Sequence, residues 1–266
     1  MVGAKHMGKP KIGLSMLYCL GESFNKMTEL LVNVATDNIE LVDDGLHALD
    51  KRRVKILRDI GDSYDLKYSV HAPFADVNIA SPSKPMLRAA LKRLEKSIIL
   101  ANALNAQIWV FHPGIKTGIS MFYPGMDWLQ NCKSARLLHK IAEDHGLRIA
   151  IENVPEPYPF VMKGVEGFAK FYEEVSEDIC LALDVGHAHL NGQMELFFKT
   201  FSDKIVHMHV SDNAGESDQH LGIGYGKIYW QKFAERVKEI SYDKTIIIES
   251  VEHVEESLQK LRQLFS

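Results

Sequence analysis

Six β-rich runs of this chain end on side chains that bind divalent metals. KYSVH ends on His71, QIWVFH on His112, RIAIE on Glu152, and ICLALD on Asp184 with His187 just beyond; IVHMH ends on His209 and TIIIE on Glu249. Imidazole nitrogen and carboxylate oxygen together suit zinc and manganese. Ions held this way acidify water and polarise phosphoryl or carbonyl oxygens. The polar stretch after the seventh run, SDNAGESDQHLGIGYG, adds Asp218 and His220, an Asp-x-His pair able to reach one metal from two sides.

Each residue alone has an ordinary reading. His6, His47, His139, His145 and His253 are read as ordinary core or surface histidines. A strand-end carboxylate such as Asp184 serves as readily to cap the following helix. The joint pattern weighs differently, because strand ends supplying only His, Asp and Glu would leave several ionised groups in a partly dry rim, at a cost unless they are paired or metal-bound. A shared divalent-metal cluster removes that cost.

The elements that must carry these residues follow from periodicity. β-Rich runs recur at 11–16, 38–42, 67–72, 107–112, 148–153, 179–184, 205–210 and 245–250, and helical spacing fills 86–104, 131–146, 229–240 and 254–265. Strands alternating with helical stretches pair in parallel through crossovers, and the closed solution is an α/β fold, a single (β/α)8 TIM barrel over 1–266; an open doubly wound sheet is the alternative. Active sites of such barrels lie at the carboxyl ends of the strands. Alternation of side chains then sends Glu152 inward with Ala150, Asp184 with Ala182, His209 with His207 and Glu249 with Ile247, while the bulky neighbours Ile149, Ile151, Leu181, Leu183, Val206, Met208, Ile246 and Ile248 face the helices. Glu40 lies inside the second run with no evident role.

Composition bounds the partners. The 266-residue chain has a net charge of -4, so no overall basic footprint favours nucleic acid, and a basic face from Lys84, Arg88, Lys92, Arg93 and Lys96 reads as solvated helix surface. Cys19, Cys132 and Cys180 are scattered and form no CxxC, which argues for a reducing compartment and against a thiolate metal site. No apolar run approaches membrane-spanning length and no leader pattern opens the chain, so a cytoplasmic location is expected, with no protein partner predicted. The opening MVGAKH reads as a vector scar ahead of Met7.

With these motifs in place, the chain resembles the endonuclease IV and xylose-isomerase-like barrels, which include the family 2 apurinic endonucleases and sugar isomerases or epimerases. The resemblance implies a trinuclear zinc site: His71 in SVHAPF, His112 in FHPG and Glu152 in IENV as the first metal's ligands; Glu152, Asp184, His209 and Glu249 as the second's; His187 in DVGHAH with Asp218 and His220 as the third's. It further implies hydrolysis of a phosphodiester, with abasic-site DNA as the named candidate, and, in its isomerase branch, Glu152 and Glu249 as the catalytic groups that shuttle a proton. The alternative it carries is a sugar or sugar-phosphate isomerase or epimerase with one Mn2+, Mg2+ or Co2+ on Glu152, Asp184, His209 and Glu249. The chain departs from endonuclease IV where a DNA-prying aromatic-Leu pair is reduced to Phe74, where a basic residue is replaced by Gln219, and where Asp-Thr-Cys-His reads Asp184-Val-Gly-His187. These changes weaken phosphate or duplex contact and leave the metal set whole. A binding barrel without catalysis is the third possibility, opposed by the intact ligand set.

Overall fold

Runs such as IVHMHV and TIIIE carry β-branched or apolar side chains on both faces, as a parallel strand covered by helices on one side and barrel interior on the other requires. A computed structural model, described over residues 8–266, forms them into a closed, all-parallel barrel in sequence order. The strands are β1 (Lys11–Ser15), β2 (Asn38–Val42), β3 (Lys67–His71), β4 (Trp109–Phe111), β5 (Ile149–Glu152), β6 (Cys180–Asp184), β7 (Ile205–Val210) and β8 (Thr245–Ile248). The barrel closes where β1 pairs with β8, Gly13 opposite Ile247. A Cβ on Gly13 would lie 2.5 Å from Ile247 Cδ1 and 2.6 Å from the Asn38 carbonyl, so glycine there makes room for Ile247. The reading of residues 1–6 as a vector scar lies outside the described residues.

The surrounding helices are α1 (Phe24–Leu31), α2 (Lys51–Tyr64), α3 (Lys84–Ala103), α4 (Met126–Asp144) and α5 (Val165–Glu174). They continue with α6 (Val185–Leu190), α7 (Met194–Phe201), α8 (Trp230–Glu239) and α9 (Val254–Leu264). Among the described residues, no helix is long and apolar enough to cross a membrane.

Alternation sorts the core. Ile149, Ile151, Leu181, Leu183, Met208, Ile246 and Ile248 join the layer between strands and helices, while Val110, Ala150, Cys180 and Ala182 form a separate interior cluster. Val206 departs from the expected outward position and packs in that interior cluster, because the β6–β7 register shifts between Leu181 and Ala182 and leaves Val206 as the extra residue. α4 begins at Met126, earlier than the 131 expected, after the left-handed turn at Gly125 (φ +82°). Arg93 does not belong to a solvated basic face: its guanidinium turns in to the fully buried Asp43 at 2.7 Å.

Candidate metal centre

The carboxyl ends of β3 to β8 deliver six of the candidate side chains to one rim. His71, Glu152 and Asp184 are the last residues of their strands, and His209 is next to last in β7. His112 and Glu249 lie one residue past β4 and β8. Asp184 fills both roles its position suggested, since Oδ1 caps α6 by accepting from His187 N at 2.6 Å while Oδ2 is buried with no hydrogen bond. That cap starts the short helix that turns His187 back over the rim.

Asp218 and His220 come from the loop between β7 and α8, which Asp212 folds. Its two fully buried carboxylate oxygens accept from the backbone N–H groups of Asn213, Gly224 and Ile228 and from Trp230 Nε1, at 2.8–3.1 Å. An antiparallel bridge between Asp212 and Leu221 completes the turn. Gln219 fastens the loop as well, its side-chain oxygen accepting from Ala214 N at 2.8 Å.

Four groups of potential ligand atoms result, each with its atoms within 4.8 Å of one another: the expected residues form three, His71–His112–Glu152, Glu152–Asp184–His209–Glu249 and His187–Asp218–His220, and Glu40–His207–His209 forms a fourth behind them. Their spacing is informative. Glu152 Oε2 lies 3.2 Å from Nε2 of both His71 and His112, and Asp218 Oδ2 lies 3.2 Å from Nε2 of both His187 and His220. A tetrahedral cation with bonds of about 2.0 Å holds neighbouring ligand atoms about 3.3 Å apart. His209 Nδ1, Asp184 Oδ2 and Asp218 Oδ1 are buried atoms that complete no hydrogen bond, and all three belong to these groups. The side chains therefore fit divalent ions by donor chemistry, by spacing and by their unused lone pairs.

The same crowding moves the titrations. Burial pulls His71, His187 and His220 toward neutrality, but Glu152 outweighs it at His71, Asp184 and Asp218 at His187, and Asp218 at His220, raising them to about 9, 10 and 9. Burial would also raise Glu152, yet His209 and His112 hold it well below the usual carboxylate range. Burial dominates at Glu249, pushed up to about 7, and raises Asp184. It likewise lowers His112.

The open side of the site is set by exposure. Side chains of Glu152, Asp184, His209 and Glu249 are at most 5 % accessible, whereas His112 and His220 reach 21 % and 19 %. An aromatic wall stands at that opening: Phe74 lies 5.3 Å from His71 and 5.7 Å from His112 between ring centroids, and Phe160 meets His112 edge-on at 5.9 Å. Asp44 holds Phe74 there by accepting from the N–H groups of Phe74 and Ala75 at 2.9 and 3.0 Å.

A profile of the xylose isomerase-like TIM barrel family matches residues 19–264. The chain belongs to that family. A Methanocaldococcus jannaschii protein without an assigned activity is 31% identical over 244 residues, 90% of this chain and 83% of its own. A solved structure described as a D-tagatose 3-epimerase-like protein is 28% identical, with a TM-score of 0.86 over 96% of this chain and all of the other. A Staphylococcus saprophyticus protein named "Probable endonuclease 4" is 28% identical over 176 residues, 60% of this chain and 57% of its own. The family is one of metal-dependent enzymes, and this barrel carries His, Asp and Glu clusters able to bind metal.

Beyond the residues expected from the sequence, the xylose isomerase-like barrel places Glu40, His207, Asn153 and Asp212 directly behind them. Asn153 is buried, and its carbonyl accepts from His187 Nδ1 at 2.8 Å. Glu40 could have been found by alternation, since a carboxylate two residues from either end of NIELV must enter the barrel if its neighbours face helices.

Proposed function

We propose that this chain is a divalent-metal-dependent phosphoesterase that cleaves a phosphodiester, with up to three ions, zinc foremost, held by His71, His112, Glu152, Asp184, His187, His209, Asp218, His220 and Glu249. Abasic-site DNA is the first substrate to test. The observation that carries this reading is the third group: His187, Asp218 and His220 converge with metal-like 3.2 Å spacings beside two groups that share Glu152. A one-ion site on Glu152, Asp184, His209 and Glu249 gives no metal role to that group or to the His71–His112 pair.

Divalent ions supply polarisation of a phosphoryl oxygen and acidification of water. The remaining roles fall to the chain. Glu152, kept ionised by His209 and His112, presents one oxygen to each of two groups. Glu249, which burial raises to about 7 while no metal is bound, closes the buried end of the cleft as a ligand of the second group and would give up its proton on binding the ion. Phe74 and Phe160 line the entrance and exclude water from one side.

A sugar isomerase or epimerase with a single Mn2+, Mg2+ or Co2+ on Glu152, Asp184, His209 and Glu249 is the second reading. It is favoured by the likeness to the D-tagatose 3-epimerase-like protein. Burial separating Glu249 at about 7 from an ionised Glu152 also suits a donor and acceptor pair for moving a proton. One experiment divides the two: metal-loaded protein and His220→Ala are each offered an abasic duplex, a chromogenic phosphodiester and a panel of ketoses in D2O. Phosphodiester cleavage that drops by about 100-fold or more in the variant, the scale of a lost metal contact, supports hydrolysis. Ketose deuterium uptake that survives the substitution, with no cleavage by either protein, sinks it in favour of isomerisation.

A further inference from the structure

Three histidines of the centre share one arrangement. His71, His187 and His220 each turn Nδ1 to a backbone carbonyl, those of Ala72, Asn153 and Glu249, at 2.8, 2.8 and 3.0 Å, and send Nε2 toward the carboxylate of their group. His209 is reversed. Its Nδ1 faces Glu152 and Glu249 at 3.2 and 3.6 Å, and its Nε2 points down the barrel to Oε1 of Glu40 at 2.8 Å.

Glu40 sits at the middle of β2, fully buried. Its other oxygen accepts from His207 Nε2 at 2.8 Å, which fixes the carboxylate between two inward residues of β7. Both of its contacts are 2.8 Å, within hydrogen-bond length. The approach of Glu40 Oε1 to His209 Nε2 is not well aligned, yet neither atom completes a hydrogen bond elsewhere.

We propose that Glu40 is a positioning residue: its carboxylate holds the Nε2–H of His209 and commits Nδ1 to the group formed with Glu152, Asp184 and Glu249. The physical reason is general, since a carboxylate on the far nitrogen of a ligating imidazole fixes its tautomer and ring angle and raises its basicity. The inference rests on the metal-centre reading above, and it goes beyond it by giving work to a buried charge outside the nine proposed ligands; Glu40, His207 and His209 also stand close enough to hold an ion themselves, which the ion count below separates from positioning.

The test uses the full chain. Glu40→Gln keeps the volume and removes the charge, and chelator competition on zinc-loaded protein reads the affinity of each ion. One ion per chain should weaken by about 10- to 100-fold with the others unmoved, the usual effect of losing such a partner. Proton–nitrogen correlation spectra of the histidine rings in zinc-loaded wild type should place the His209 proton on Nε2, and they decide the matter even if the variant fails to fold. Unchanged affinity for every ion in a folded Glu40→Gln, or a proton on Nδ1 of His209, overturns the proposal. An additional ion lost with Glu40 overturns it too, since Glu40 would then be a ligand. If wild type takes up no ion, the metal reading falls and the Glu40 proposal falls with it, an outcome distinct from a bound ion whose affinity Glu40→Gln leaves unchanged.

Discussion

Oε1 of Glu152 lies 3.2 Å from Nδ1 of His209 while the other oxygen of the same carboxylate faces His71 and His112. One side chain is thus common to two ligand groups. Glu152→Gln should lower metal content by about two ions, because the amide nitrogen cannot act as a ligand, whereas His112→Ala should lower it by about one. Metal analysis of the two variants checks this, and equal losses would show that Glu152 serves only one group.

Zinc binding should release protons. His71, His187 and His220, raised to about 9, 10 and 9, are protonated at pH 7 in chelator-stripped protein, and each must lose its ring proton at Nε2 to ligate. Affinity should therefore climb as pH rises toward 9. Calorimetry in buffers of different ionisation heat should count more than about two protons released per chain at pH 7; a count near zero contradicts the raised histidines.

The stripped protein should lose stability as pH rises. Histidines with raised folded values contribute in full below the unfolded value of about 6.5 and lose that contribution through the folded values, which are about 9 to 10 here. Glu249, raised to about 7, acts in the same direction from lower pH. On the acid side, Asp218 and Glu152 are lowered by their histidines, so stability falls there as pH drops. The melting temperature in chelator should fall by about 5 °C or more between pH 6.5 and 10, and a flat or rising profile would contradict the assignment.

Asp212→Asn should loosen the loop that carries Asp218 and His220. The amide replaces an acceptor facing Gly224 N and Trp230 Nε1 or facing Asn213 N and Ile228 N, leaving buried donors unmet at a cost of about 2–3 kcal/mol. Denaturation followed by tryptophan fluorescence reads the cost, and the third group's ion should go with it. Wild-type stability and metal content in the variant would show that the loop folds without this anchor.

Much of the barrel was legible because parallel strands write their burial into alternation: Ala150, Ala182 and their large neighbours sort as parity demands. Val206 was not, since a register shift is a property of the β6–β7 pair and leaves no mark in either strand alone. The rim residues could be read as strand ends, and the structure brings all nine into three groups. What lay behind them was hidden by sequence distance. Glu40 meets His207 and His209 across the barrel, and Asp212 gathers donors from Gly224, Ile228 and Trp230, contacts that only the closed fold creates. Arg93 looked like surface charge because its partner Asp43 is 50 residues away.

The most direct measurement is the number of ions per chain, by elemental analysis of protein loaded with zinc and freed of excess, for wild type and His220→Ala. Three groups, two of which share Glu152, require about three ions in the wild type and about two in the variant. A single ion per chain, unchanged by His220→Ala, would contradict the trinuclear centre and with it the phosphoesterase reading.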